Sequence, residues 1–97
     1  MHIEEAKKIF LDVLESMPGI RKIILSSEEI LEQKNLPVLK VEENINGFVF
    51  IATLVVILGT NVKELISQIG EALRYRMKMQ NAKVNKLNIF IEGIEND

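Results

Sequence analysis

Cysteine is absent from the 97 residues and so is tryptophan; histidine and tyrosine occur once each and proline twice. Without cysteine the chain cannot be a disulfide-stapled secreted miniprotein, a zinc ribbon, an iron–sulfur carrier or a cysteine enzyme, and an intracellular address is expected. The one histidine, His2, sits at a terminus prone to fraying, so no Ser/His/Asp arrangement and no histidine metal site can be built around it. A membrane-spanning run is missing too. The most apolar stretch, Phe48 to Leu58, has 11 residues, against the roughly 20 that a helix needs to cross a bilayer. It reads as a buried strand. The first residues, Met1-His2-Ile3-Glu4-Glu5, carry charge where a signal peptide would carry its apolar segment, and export is not expected.

What is present is the balance of a folded globule: 47% hydrophobic and 27% charged residues, in a length that suits one domain over residues 1–97. The net charge is −2, but it is unevenly placed. From Ala72 to Ile91 there is no acid, while Arg74, Arg76, Lys78, Lys83 and Lys86 supply five bases. The molecule is therefore electrically lopsided.

Ile3, Ala6, Phe10, Val13, Leu14 and Met17 recur at spacings of three and four, which predicts an amphipathic first helix. Met17-Pro18-Gly19 ends it, and Ile20 to Leu25 follows as a short strand. Ser26-Ser27-Glu28-Glu29 has the form of a helix start, good for a turn or two through about Lys34. Pro37 and Val38 to Glu43 read as a strand that meets the next at Asn46-Gly47, a hairpin signal because both residues tolerate positive φ. Phe48 to Leu58 is apolar on both alternations and so predicts the central strand. Asn61, with Glu64 three residues later, caps a long helix whose stripe is Val62, Leu65, Ile66, Ile69, Ala72, Leu73 and Met77. Val84 to Glu92 alternates as a half-buried last strand, parallel to the central one through a right-handed crossover. The fold class is α+β: a small two-layer domain with a mixed three- to four-stranded sheet and its two main helices on one face.

No catalytic constellation emerges from this order. Glu28-Glu29 and Glu42-Glu43 are adjacent carboxylates, yet helix neighbours do not share a face and strand neighbours point to opposite faces; capping and edge solvation account for them. Gly59-Thr60-Asn61-Val62-Lys63-Glu64 holds one glycine before a helix, with an acid in its first turn opposing an anion. Gly70 interrupts the long helix, either for a close backbone approach or as a tolerated site. Arg74-Tyr75-Arg76-Met77-Lys78, with Lys83 and Lys86, is the strongest nucleic-acid signal, and a KH-like module using Arg74 to Lys86 is the alternative reading of function. Against it, bases in the last turns of a helix follow from the macrodipole, the chain is net acidic, and no glycine-flanked basic loop joins two helices.

The second half has a recognisable pattern: Gly47-Phe48-Val49-Phe50, Leu54-Val55-Val56, Gly59-Thr60-Asn61-Val62-Lys63-Glu64-Leu65, and Val84-Asn85-Lys86-Leu87-Asn88-Ile89-Phe90-Ile91-Glu92-Gly93-Ile94. It resembles the alkaline shock protein, or general stress protein, family of bacteria. In that family an apolar strand ends in glycine, Asn and a β-branched residue open a helix, and a strand of the form Val-x-x-Val-Asn-Val-x-Val-x-Gly-Val follows. Met17-Pro18-Gly19-Ile20 matches the family's turn after its first helix. The resemblance implies a non-enzymatic cytoplasmic protein of the cell-envelope stress response, without a cofactor or metal. It also implies action at the inner side of the membrane through a membrane-anchored protein partner, or self-assembly into a homo-oligomer.

The leading expectation is thus an interaction module. Its candidate surface is a basic end at Arg74, Arg76, Lys78, Lys83 and Lys86 that meets an acidic region at Glu28, Glu29, Glu32, Glu42 and Glu43 of a neighbour, helped by an apolar patch on the uncovered sheet face.

Overall fold

A computed structural model describes residues 1–26 and 35–96. The elements are α1 (Ile3–Glu15), β1 (Ile20–Ile23), β2 (Lys40–Asn44), β3 (Gly47–Ile57), α2 (Val62–Met79) and β4 (Val84–Glu95). The short helix expected from Ser26 to Lys34, with Glu28, Glu29 and Glu32, lies outside the described residues apart from Ser26 itself.

β3 organises the sheet. β2 pairs antiparallel with its first half, from Asn44 opposite Gly47 to Lys40 opposite Ile51. β1 pairs antiparallel with its second half, Ile23 opposite Leu54 and Ile20 opposite Val56. Both therefore lie end to end along one edge of β3, while β4 runs parallel to β3 along the whole of the other edge. The four-stranded mixed sheet and the parallel crossover are as the sequence predicts. β1 ends two residues earlier than expected, and β2 begins at Lys40 rather than near Pro37. The reason is visible in the backbone: the Leu39 amide donates to the Ile24 carbonyl at 3.1 Å, and the Ile24 amide to the Thr53 carbonyl at 3.0 Å. The chain leaves and rejoins the sheet at one place, and residues 35–38 stand off the strand line. β4 runs on to Glu95, three residues beyond the expected end, because Ile94 and Glu95 still find partners in Val56 and Ile57.

The core lies between the sheet and the two helices. Phe48, Phe50, Ala52, Leu54 and Val56 alternate onto this face of β3 and meet Ala6, Ile9, Phe10, Val13 and Leu14 of α1 and Leu65, Ile69, Leu73 and Met77 of α2. Leu87, Ile89 and Ile91 pack against the same cluster from β4. The Phe10 and Phe50 rings meet edge to face with centroids 5.1 Å apart. Aromatic pairs in that geometry add about 0.5–1.5 kcal/mol beyond the area they bury.

The caps are local and specific. Asn61 Oδ1 accepts from the Glu64 amide at 3.0 Å, as the spacing predicts. Gly19 turns the chain after α1 at φ 98°, a conformation that Pro18 cannot supply and that a side chain would resist. The hairpin differs from expectation in detail. Its two turn residues are Ile45 and Asn46, neither at positive φ, and only Gly47, already the first residue of β3, adopts it at 122°. Asn44 decides this, because its side-chain oxygen accepts from the Asn46 amide at 2.9 Å and fixes the turn locally.

Candidate interaction surface

The basic residues do not form one surface. Arg76 leans toward α1, with Nη2 3.7 Å from Asp12 Oδ2. Arg74 and Lys78 are four residues apart on the other side of the Leu73–Met77 stripe, so they share a flank of α2 that faces away from α1. The Arg74 guanidinium folds back over Gly70, where a Cβ would stand 3.1 Å from both of its terminal nitrogens. The nearest group over Gly70 is thus a flexible side chain and not a neighbouring backbone. Lys83 lies in the turn before β4, and its carbonyl accepts from the Phe48 amide at 2.9 Å. Lys86 pairs in register with Val49, on the face of the sheet opposite the helices. The expected basic end is thus divided among two flanks of a helix, a turn and the far side of the sheet.

The acidic half is divided as well. Glu42 and Glu43 are neighbours on β2 and point to opposite faces, and Glu42 is held by Lys40 at 2.7 Å. Glu28, Glu29 and Glu32 lie outside the described residues.

The sheet face away from the helices is more informative. Val49, Ile51, Thr53, Val55 and Ile57 alternate onto it from β3, and Lys86, Asn88 and Phe90 from β4. Thr53 and Val55 are buried there, and Thr53 Oγ1 donates to the Pro37 carbonyl at 2.6 Å, so residues at Pro37 cover the middle of that face. Toward β4 the cover ends, and Phe90 is 41% exposed. Leu58, just past the end of β3, and Ile94, near the end of β4, are more exposed still. Phe90 is what the charge pattern did not single out, although the period-two alternation of residues 87–91 held the signal.

Other concavities are shallow. A cleft of about 360 Å³ at the hairpin end is walled by Glu43, Asn44, Asn46, Asn81 and Lys83, with the exposed Ile45 at its lip. Among the described residues, no three of His, Cys, Asp or Glu approach one another closely enough to hold a metal ion. No helix among them is long and apolar enough to cross a membrane.

No family model matches this chain, and no curated protein matches it. Solved structures do. A copper form of a MamM CTD variant superposes with a TM-score of 0.65 at 15% identity, covering 95% of this chain and 98% of that one. A cadmium form of another variant gives 0.64 at 15% identity, with the same two coverages. A further MamM CTD gives 0.65 at 15% identity over 95% of this chain and 99% of that one. At such identity the likeness concerns the fold: the chain shares its two-layer α+β architecture with these domains over nearly its full length.

Proposed function

We propose that this chain is a non-catalytic interaction domain that assembles with itself or docks on a membrane-anchored protein, in the manner of the alkaline shock protein family and in the service of cell-envelope stress response at the cytoplasmic side of the membrane. The observation that carries the reading is the exposure of large apolar side chains at the β4 side of the sheet: Phe90 and Ile94 within β4, and Leu58 directly after β3. Exposed apolar groups of this size, set along one outer strand of a small domain, fit a protein partner. The sequence pattern from Gly47 to Ile94 supports the family, and the elements it implies, strand, capped helix and parallel strand, are the elements that these residues form.

The test is absolute mass by light scattering behind a sizing column, over a range of protein and salt concentrations. A species at a multiple of 11.1 kDa is the expected result. A monomer throughout, together with a failure to bind purified candidate membrane anchors in bilayer nanodiscs, overturns the reading.

A further inference from the structure

We propose that β4 pairs antiparallel with β4 of a second copy of this chain, across a two-fold axis at Ile89, so that two sheets join through their β4 edges. The inference rests on the assembly reading above and names its surface and its partner.

The three outer strands are not equivalent. β1 is 4 residues long and carries Arg21 and Lys22; β2 is 5 residues long and carries Lys40, Glu42 and Glu43. Short length and charge are the ordinary means by which a sheet edge is kept from pairing with another chain. β4 is 12 residues long, pairs only with β3 among the described strands, and has no charge from Leu87 to Ile91. Its register against β3 is regular from Lys86 to Ile91, with irregularities only toward its two ends. It is the long edge of this sheet, uncharged over its middle five residues.

The order of residues along β4 then selects how it would pair. Residues opposite one another in an antiparallel ladder share a face, so a two-fold axis through two like strands must pass through a residue rather than between two. With the axis at Ile89, Leu87 faces Ile91 of the partner subunit, and Val84 faces Ile94 of the partner subunit. Lys83 faces Glu95 of the partner subunit at the ends, and symmetry makes each of these pairs twice. With the axis at Asn88, Lys86 instead faces Phe90 of the partner subunit, and Val84 faces Glu92 of the partner subunit. With the axis at Phe90, Lys86 faces Ile94 of the partner subunit, and Asn88 faces Glu92 of the partner subunit. Only the Ile89 axis sets base against acid and apolar against apolar, each such cross-strand pair contributing about 0.2–1 kcal/mol. The base-first, acid-last order of β4 is what an antiparallel self-pairing requires. The flank of α2 above this edge carries Glu71 as well as Arg74 and Lys78, so the two helices brought side by side present both signs.

Cysteine is absent from the native chain, so single substitutions report geometry without background. Ile89→Cys is expected to form a disulfide-linked dimer under mild oxidation. Asn88→Cys and Phe90→Cys are expected not to, because each lies roughly 8 Å from its own symmetry mate, beyond the reach of a disulfide. As a second measure at exposed strand ends, Lys83→Glu and Glu95→Lys should each weaken dimerisation about tenfold alone, and an equal mixture of the two chains should restore it, since the mixed pair sets acid against base again. Cross-linking that peaks at residue 88 or 90, that is equal at all three positions, or that is absent from all overturns the proposal, as does a mixture no tighter than its parts. If the native chain assembles while Ile89→Cys stays unlinked and the charge variants assemble normally, the β4 pairing fails and the assembly reading stands. A monomeric native chain fails both.

Discussion

Thr53 Oγ1 donates to the carbonyl of Pro37 at 2.6 Å, from the sheet face turned away from both helices. Thr53 is fully buried, the only polar residue of the described chain that is. The bond holds the segment that rejoins the sheet at Leu39 against the middle of β3. Thr53→Val keeps the shape and removes the donor, which leaves a part-buried carbonyl unpaired. The expected loss is about 1–2 kcal/mol in chemical denaturation, with Thr53→Ser close to native. Equal stability of the Val and native proteins would mean that the Pro37 carbonyl finds water instead.

Gly47 is the glycine that this fold cannot replace. Its φ of 122° is unfavourable to any side chain, and a Cβ built there would stand 2.5 Å from the Lys83 carbonyl oxygen, in the turn that leads into β4. Gly47→Ala must therefore distort the hairpin and the entry to β4 together. A loss of about 2–4 kcal/mol is expected, from backbone strain of about 1–3 kcal/mol and the displaced carbonyl. Gly59→Ala, where nothing lies within 4 Å, is the control with strain alone. The difference between the two variants measures the close approach.

Asp12 and Arg76 join the two helices at their surface, 3.7 Å apart, with each side chain nearly half exposed. Exposed pairs of this kind contribute about 0.2–1 kcal/mol. A double-mutant cycle of Asp12→Ala and Arg76→Ala should give a coupling energy below about 0.5 kcal/mol that vanishes at high salt. A coupling several times larger would place the pair among the contacts that fix the helices, alongside the buried Phe10 and Leu73.

Much of this architecture was legible because its signals are local. The Asn61 cap, the turn at Gly19 and the alternation of β3 each depend on a few consecutive residues, and each formed as its residues predict. The candidate surface was not legible in the same way. Arg74, Arg76, Lys78, Lys83 and Lys86 are close in sequence, but helix periodicity sends Arg76 to the flank opposite Arg74 and Lys78, and the turn after α2 sends Lys86 beneath the sheet. Nearness along the chain became separation in space. Ile9 illustrates the converse, since it was not assigned to the apolar stripe of α1 and is nonetheless buried against the core. The boundaries of β1 and β2 depended on the Ile24 to Leu39 hydrogen bond, a pairing between residues far apart in sequence that no local rule contains.

Gly70 gives the prediction in which two effects oppose. Within α2 a glycine is about 1 kcal/mol less favourable than alanine, because its backbone loses more freedom on folding. An added Cβ would stand 3.1 Å from the Arg74 guanidinium nitrogens, tight by a few tenths of an ångström. What it meets is the far end of a flexible side chain on an exposed residue, which can swing into solvent with little loss. The helix term should therefore win, and Gly70→Ala should raise stability by about 0.5–1 kcal/mol, read as a higher denaturation midpoint at unchanged slope. The double variant Gly70→Ala with Arg74→Ala separates the terms. If Arg74 yields freely, the gain from Gly70→Ala is the same in both backgrounds. If the gain appears only once Arg74 is removed, the guanidinium is anchored over Gly70, and the flank of α2 above the β4 edge is more rigid than its exposure implies.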